Sequence, residues 1–308
     1  MKPAEVVTAV VAEAPIIVVA EPQTYTLLGD LAMLTKARLT ALVLLTTAFG
    51  FSFGSSRGMD WFLFFRVMFG TAFVAGSASV LNQFIERNVD RLMARTKDRP
   101  LPAGRMYPGT ALGLGVLLGV AGLIYLQNRV SPLCAELAAG TLLVYVAAYT
   151  PLKRKSAWCV TVGAISGAIP PMIGWAAATG SLGAGAWILS GILFFWQMPH
   201  FLSLAWMYRD EYAQAGFFML RRGDIAGHKA ASESLLCAIA LTAVTLVPVY
   251  LGMAHPIFVP VALACDGWML YRAVLFLSHR NRDSARRLFL ASILYLPLVM
   301  ALLVACRR

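Results

Sequence analysis

Nine apolar runs, each long enough to cross a bilayer at about 20 residues, recur along this 308-residue chain and leave few folds open to it. Wound as a helix, each residue rises about 1.5 Å, so one such run matches the hydrocarbon thickness. The runs lie at 36–54, 61–84, 109–127, 132–150, 157–178, 185–207, 234–253, 256–277 and 286–305. Breakers and polar clusters part them, among them Gly54 through Gly58, Gln127-Asn128-Arg129, Thr179-Gly180-Ser181 and His255-Pro256. A β-barrel would show alternating segments of about 10 residues instead. A soluble protein is excluded by composition, since 59% of the residues are apolar and 13% charged, against about 25% charged in soluble domains. The expected fold class is an all-α integral membrane protein with nine transmembrane helices.

The net charge of +11 admits nucleic acid, an anionic membrane face or an anionic substrate as its cause. Its distribution decides. Lys and Arg are retained on the cytoplasmic side of membrane proteins. With the N-terminus inside, that side collects Lys2, Lys36 and Arg38, six cations between Arg87 and Arg105, Lys153 to Lys155, and two further groups at 209–229 and 280–287. Arg57, Arg129, Arg307 and Arg308 fall outside, while Arg66 and Arg272 lie within spans near an end. The expected topology is therefore an N-terminus in the cytoplasm and a C-terminus in the periplasm. The lipid bilayer is the partner this charge addresses, and no nucleic acid is expected. Residues 1–30 lack the features of a signal or transit peptide and are expected to form a mobile cytoplasmic extension, with 31–308 as a single membrane domain. Cys134, Cys159, Cys237, Cys265 and Cys306 show no C-x-x-C spacing and are expected to be small buried apolar residues.

Some polar residues are not explained by topology. Asn82, Glu86 and Asp90 are spaced i, i+4, i+8, so on a helix they form one ridge of oxygens about 12 Å long. Ionisable groups at membrane depth are costly unless they face a polar cavity, and one amide with two carboxylates suits Mg²⁺, which keeps its other positions for water and phosphate. Arg95, Lys97, Arg99 and Arg105 follow and can contact phosphate oxygens, so the stretch suggests a metal-bridged diphosphate. As a bland alternative, the same residues would be surface ion pairs at a solvated helix end. A second connection begins near Gln197, Pro199 and His200 and continues to Asp210 and Glu211. Pro199 removes a helical hydrogen bond, Gln197 and His200 are expected to share a face, and the two carboxylates form a second acidic point. Lys153, Arg154 and Lys155 end the fourth span, either as topology anchors or as phosphate contacts.

Four strings carry a resemblance. They are Asn82-x3-Glu86-x3-Asp90-x2-Met93-x-Arg95-Thr96-x2-Arg99-Pro100-Leu101, then Tyr149-Thr150-x-Leu152-Lys153-Arg154, then Trp196-Gln197-x-Pro199-His200-Phe201, and last Asp210-x-Tyr212-x3-Gly216-x2-Met219-Leu220. Over about residues 30 to 305 the chain resembles the UbiA-type intramembrane prenyltransferase superfamily, and within it the branch that prenylates heme. Glu86 stands where most quinone-precursor relatives have Asp, and Tyr208 and Tyr212 stand where their second motif is acidic; both departures fit the heme branch.

The resemblance implies a helical bundle around a central cavity open to the cytoplasm, in the cell inner membrane, with Mg²⁺ as cofactor. It implies transfer of a farnesyl group from farnesyl diphosphate to a vinyl group of heme B, giving heme O, a precursor of heme A. On this reading Asn82, Glu86, Asp90 and Asp210 hold the metal, Arg95, Arg99, Lys153 and Arg154 hold the diphosphate, and His200 and Gln197 meet the heme, His200 at iron or at a propionate. Heme A synthase or terminal-oxidase assembly factors would be protein partners. Three rivals remain at this stage: a prenyltransferase for a quinone-precursor aromatic acceptor, a transporter of anions or heme, and a heme-binding chaperone. The transporter should show related polar breaks in two halves, and no internal repeat is found.

Overall fold

The computed structural model describes residues 26–56 and 58–308. Residues 1–25, most of the expected N-terminal extension, and Arg57 lie outside the described residues. In chain order the helices are α1 (Leu27–Leu34), α2 (Ala37–Gly54), α3 (Trp61–Asp90), α4 (Pro108–Arg129) and α5 (Pro132–Leu143). A π-helical segment, Val144–Tyr149, leads into α6 (Thr150–Leu152), followed by α7 (Trp158–Ala168), α8 (Pro170–Thr179), α9 (Ala184–Met207) and α10 (Arg209–Gln214). The last three are α11 (His228–Tyr250), α12 (Phe258–His279) and α13 (Arg282–Ala305). Nine spans of sufficient length and apolarity are present among the described residues, the fourth running from Pro132 to Leu152 and the fifth from Trp158 to Thr179. The all-α reading therefore holds, with helix boundaries that differ from expectation in two places.

First, α3 continues past residue 84 to Asp90, so the whole oxygen ridge is helical. Second, α11 starts at His228 rather than 234, and the side chain of Asp224 caps it by accepting from the backbone N–H groups of Lys229 and Ala230. As the run at 185–207 leads one to expect, α9 is a single helix through Pro199. The boundary expected at residue 30 also falls inside α1, whose Asp30 is held by Arg105 through a bidentate contact. The short link at 251–257 is anchored where His255 N–H donates to Cys306 O at 2.7 Å.

The two largest apolar clusters hold most of the buried interior. One gathers α9, α11, α12 and α13 around Leu189, Ile192, Leu241, Phe258 and Tyr295. The other joins α2, α3, α4, α5 and α8 around Phe51, Val67, Leu126 and Ile173. All five cysteines are free thiols, three of them buried.

Between α2 and α8 the backbones themselves touch. A Cβ at Gly174 would fall on the Thr47 carbonyl oxygen, and one at Gly50 on that of Pro171. Without a hydrophobic force between helices in lipid, such close approach of small residues is how membrane helices gain packing energy. Gly174→Ala is accordingly expected to destabilise the protein by about 1–3 kcal/mol, the usual cost of overpacking. Thermal unfolding in detergent checks this, with Gly267→Ala as control, because a Cβ at Gly267 meets nothing within 4 Å.

Candidate diphosphate and metal site

At the C-terminal end of α3, Asn82, Glu86 and Asp90 are 0%, 6% and 0% exposed. Each meets one cation brought in from a different segment. Lys36 Nζ donates to Asn82 Oδ1 at 2.8 Å, Lys153 Nζ to Glu86 Oε1 at 2.8 Å, and Arg99 Nη1 to Asp90 Oδ2 at 2.7 Å. These contacts are charge-assisted and short, the strong class of hydrogen bond. Counting hydrogens fixes the Asn82 amide as well. The Thr150 hydroxyl proton goes to Tyr145 O at 2.8 Å, so Thr150 Oγ1 accepts from Asn82 Nδ2 at 3.1 Å, leaving Oδ1 for the ammonium.

Local backbone features aim each cation. Lys36 sits between α1 and α2 with φ of 49°, a left-handed conformation that is uncommon for a lysine and persists only where its surroundings hold it. On the neighbouring α3, Gln83 helps by donating to the carbonyls of Met33 and Leu34 at the end of α1. Burial, the largest influence, lowers the pKa of the Lys36 ammonium below the ordinary lysine value. Lys153 follows the π-helical segment and lies 4.4 Å from the centroid of the Tyr149 ring; single π turns often mark functional positions. Arg99 belongs to a turn tied down by the Thr96 hydroxyl, which donates to Asp90 O at 2.8 Å, with Met93 and Leu101 buried beneath it.

Three connections meet at this end of the bundle. Phe218 N–H donates to Lys153 O at 2.7 Å. Ala215 and Phe217 pack with Val89 and Met93, and Tyr212 packs against that cluster. Arg95 Nη2 donates to Tyr212 Oη at 3.4 Å, and Arg95 Cζ lies 5.8 Å from the Tyr208 ring centroid.

Not every candidate joins the ridge. Asp210 has a side chain 83% exposed and its ion pair is with the adjacent Arg209, at 3.8 Å. Arg105 serves Asp30 rather than the ridge, and Arg154 is exposed. Gln197 and His200 do not share a partner. Gln197 lies where a Cβ on Gly167 of α7 would be, whereas His200 Nδ1 meets Ser292 Oγ of α13 at 2.7 Å. Sequence reasoning missed Lys36 as a site residue; its position just before the first span was read only as topology.

The donor set fits a divalent cation. Asp90 Oδ1 is buried without a hydrogen-bond partner, which is costly unless something occupies it. No group of three or more His, Cys, Asp or Glu that could hold a metal is present among the described residues. A Mg²⁺-like ion needs only one or two carboxylates, with the remainder from water and phosphate, and Glu86, Asp90 and the Asn82 amide provide that. Three cations against two carboxylates leave the site with a surplus positive charge, which suits a polyanion.

The UbiA prenyltransferase family model matches residues 43–296. Protoheme IX farnesyltransferase of Solibacter usitatus is 42% identical over 287 residues, covering 90% of this chain and 98% of the relative. That of Salinibacter ruber is 41% identical, covering 90% and 98%, and the human mitochondrial protein is 39% identical, covering 93% and 64%. Among solved structures, one described as digeranylgeranylglyceryl phosphate synthase superposes with a TM-score of 0.78 at 15% identity, covering 91% of this chain and 98% of the other. A UbiA homologue from Archaeoglobus fulgidus bound to DMAPP and Mg²⁺ gives 0.66 at 15% identity, covering 89% and 99%. At those identities the likeness is one of fold.

Proposed function

This chain belongs to the UbiA prenyltransferase family, and from that membership we infer that it transfers a farnesyl group from farnesyl diphosphate to a vinyl group of heme B, giving heme O. The observation that carries the acceptor is identity of about two residues in five to protoheme IX farnesyltransferases along nine-tenths of the chain. The protein is a multi-pass membrane enzyme. Retention of its cations on one side supports an inner-membrane orientation with the N-terminus in the cytoplasm and the C-terminus in the periplasm.

Asn82, Glu86 and Asp90 would hold Mg²⁺, and a metal there neutralises the diphosphate as a leaving group. Lys153, Arg99 and Arg95 would bind its phosphate oxygens, joined by Lys36, which the Asn82 contact brings to the same place. Charge stabilisation of this kind is greatest where water is excluded, and the ridge is buried. As the allylic C–O bond breaks, its electron pair leaves with the diphosphate and the farnesyl C1 becomes cationic. The vinyl π-electrons form the new C–C bond, and the cation left next to the pyrrole ring takes up water. Loss of one proton from that water gives the hydroxyl. His200 and Gln197 belong to the heme side of the reaction, and heme A synthase or oxidase assembly factors are the partners that would take its product.

Incubating the purified protein in lipid with heme B, farnesyl diphosphate and Mg²⁺ is expected to add one farnesyl and one hydroxyl to the porphyrin, as read by mass spectrometry. Prenylation of a quinone-precursor aromatic acid in a parallel arm, with heme unchanged, would overturn the heme assignment.

A further inference from the structure

His200 lies in α9 with its ring stacked against two aromatics, Trp196 at 4.9 Å between centroids and Phe289 of α13 at 4.7 Å. Ser292 of α13 is bonded to both members of the α9 pair. Trp196 Nε1 donates to its carbonyl at 2.7 Å, and its hydroxyl oxygen is 2.7 Å from His200 Nδ1. The imidazole is thus clamped on its faces and at one nitrogen.

Which nitrogen carries the proton follows from counting hydrogens. Ser292 Oγ is 2.6 Å from Phe289 O. A carbonyl oxygen has no proton to give, so the serine's single hydrogen lies in that contact. The 2.7 Å contact with His200 then needs a hydrogen from the ring, and Nδ1 must be its donor. No carboxylate pairs with His200 among the described residues, so nothing there favours a second proton on the ring. Nε2 is left with a lone pair. It has no hydrogen-bond partner among the described residues, and it is absent from the polar atoms sealed in the core without one.

We infer that Ser292 fixes His200 as the Nδ1–H tautomer and thereby offers the Nε2 lone pair to the iron of the heme acceptor, which makes Ser292 a positioning residue for substrate binding. This rests on heme being the acceptor. It decides between two contacts that the residue type alone permits. A propionate is an acceptor and would need an N–H at Nε2, which this tautomer lacks, whereas iron takes a lone pair. Histidines that ligate metals commonly donate their other ring N–H to an oxygen in this way, and loss of that oxygen typically weakens binding by about 10–100-fold.

The test is an optical and EPR titration of the purified protein with heme B alone, without farnesyl diphosphate. Wild type is expected to show an imidazole-ligated heme spectrum. His200→Ala should lose it, with added imidazole restoring it. Ser292→Ala should bind heme about tenfold more weakly with a smaller ligated fraction, and Ser292→Thr should recover the wild-type spectrum. An unchanged spectrum in His200→Ala would overturn the iron contact, and wild-type affinity and spectrum in Ser292→Ala would overturn the role of the serine. A wild-type protein that ligates heme but makes no prenylated product would count against the proposed reaction alone.

Discussion

Asp90→Asn is expected to lower farnesyl transfer by about two to three orders of magnitude while the protein remains folded and membrane-inserted. The substitution keeps shape and removes one charge. It leaves Arg99 opposite a neutral amide and takes from the ridge the carboxylate whose Oδ1 has no protein partner. Removing one preorganised group that stabilises charge in the transition state typically lowers turnover by about 10²–10³-fold. The fold should tolerate the change because the Arg99 side chain keeps 20% of its surface accessible and can be solvated. The Thr96 bond that shapes the turn goes to the Asp90 backbone, which the substitution leaves in place. Turnover measured across a Mg²⁺ series, with circular dichroism of the same sample, checks the prediction. Activity within a few-fold of wild type would remove Asp90 from the metal set.

Lys153→Met should act on stability and turnover together, and the two effects can be separated. Lys153 and Glu86 have side chains 12% and 7% exposed, so removing the ammonium strands a carboxylate at membrane depth at a cost of about 3 kcal/mol. A second change, Glu86→Gln, removes the stranded charge. The double variant is therefore expected to regain most of the lost unfolding midpoint, the non-additivity that contacting residues show. Turnover should not return, because both the metal ligand and the phosphate contact are gone. Recovery of activity in the double variant would mean that the pair is structural.

The bilayer made the nine helices readable, since one length rule covers every span. It also made the ridge readable, because a spacing of four residues stays on one face once α3 is helical. What brings cations to that ridge was not readable in the same way. Lys36 depends on a left-handed backbone at a position with no glycine to announce it. Lys153 depends on a π-helical segment that no residue pattern marked. Arg105 stood in the same basic stretch as Arg99 and yet serves Asp30, because proximity in sequence says little about which way a turn points its side chains. Asp210 shows the converse: its chemistry matched the ridge, but α10 leaves it in solvent. Gln197 and His200, 60° apart on one helix, face different neighbours because α9 is packed between α7 and α13.

The pairing of each ridge residue with its own cation turns the site into a charge-matched lock. A metal ion entering alone would have to expel ammonium and guanidinium groups and leave them unpaired; a diphosphate alone would draw those cations away and expose bare carboxylates. Either half-occupied state is penalised by uncompensated charge at low dielectric. Only a ligand bringing both signs at once exchanges every contact without loss, so each half raises the affinity for the other by the same factor. On the proposed reading, selectivity for the metal–diphosphate complex over free phosphates, free metal and neutral prenyl alcohols therefore follows from how these side chains are paired.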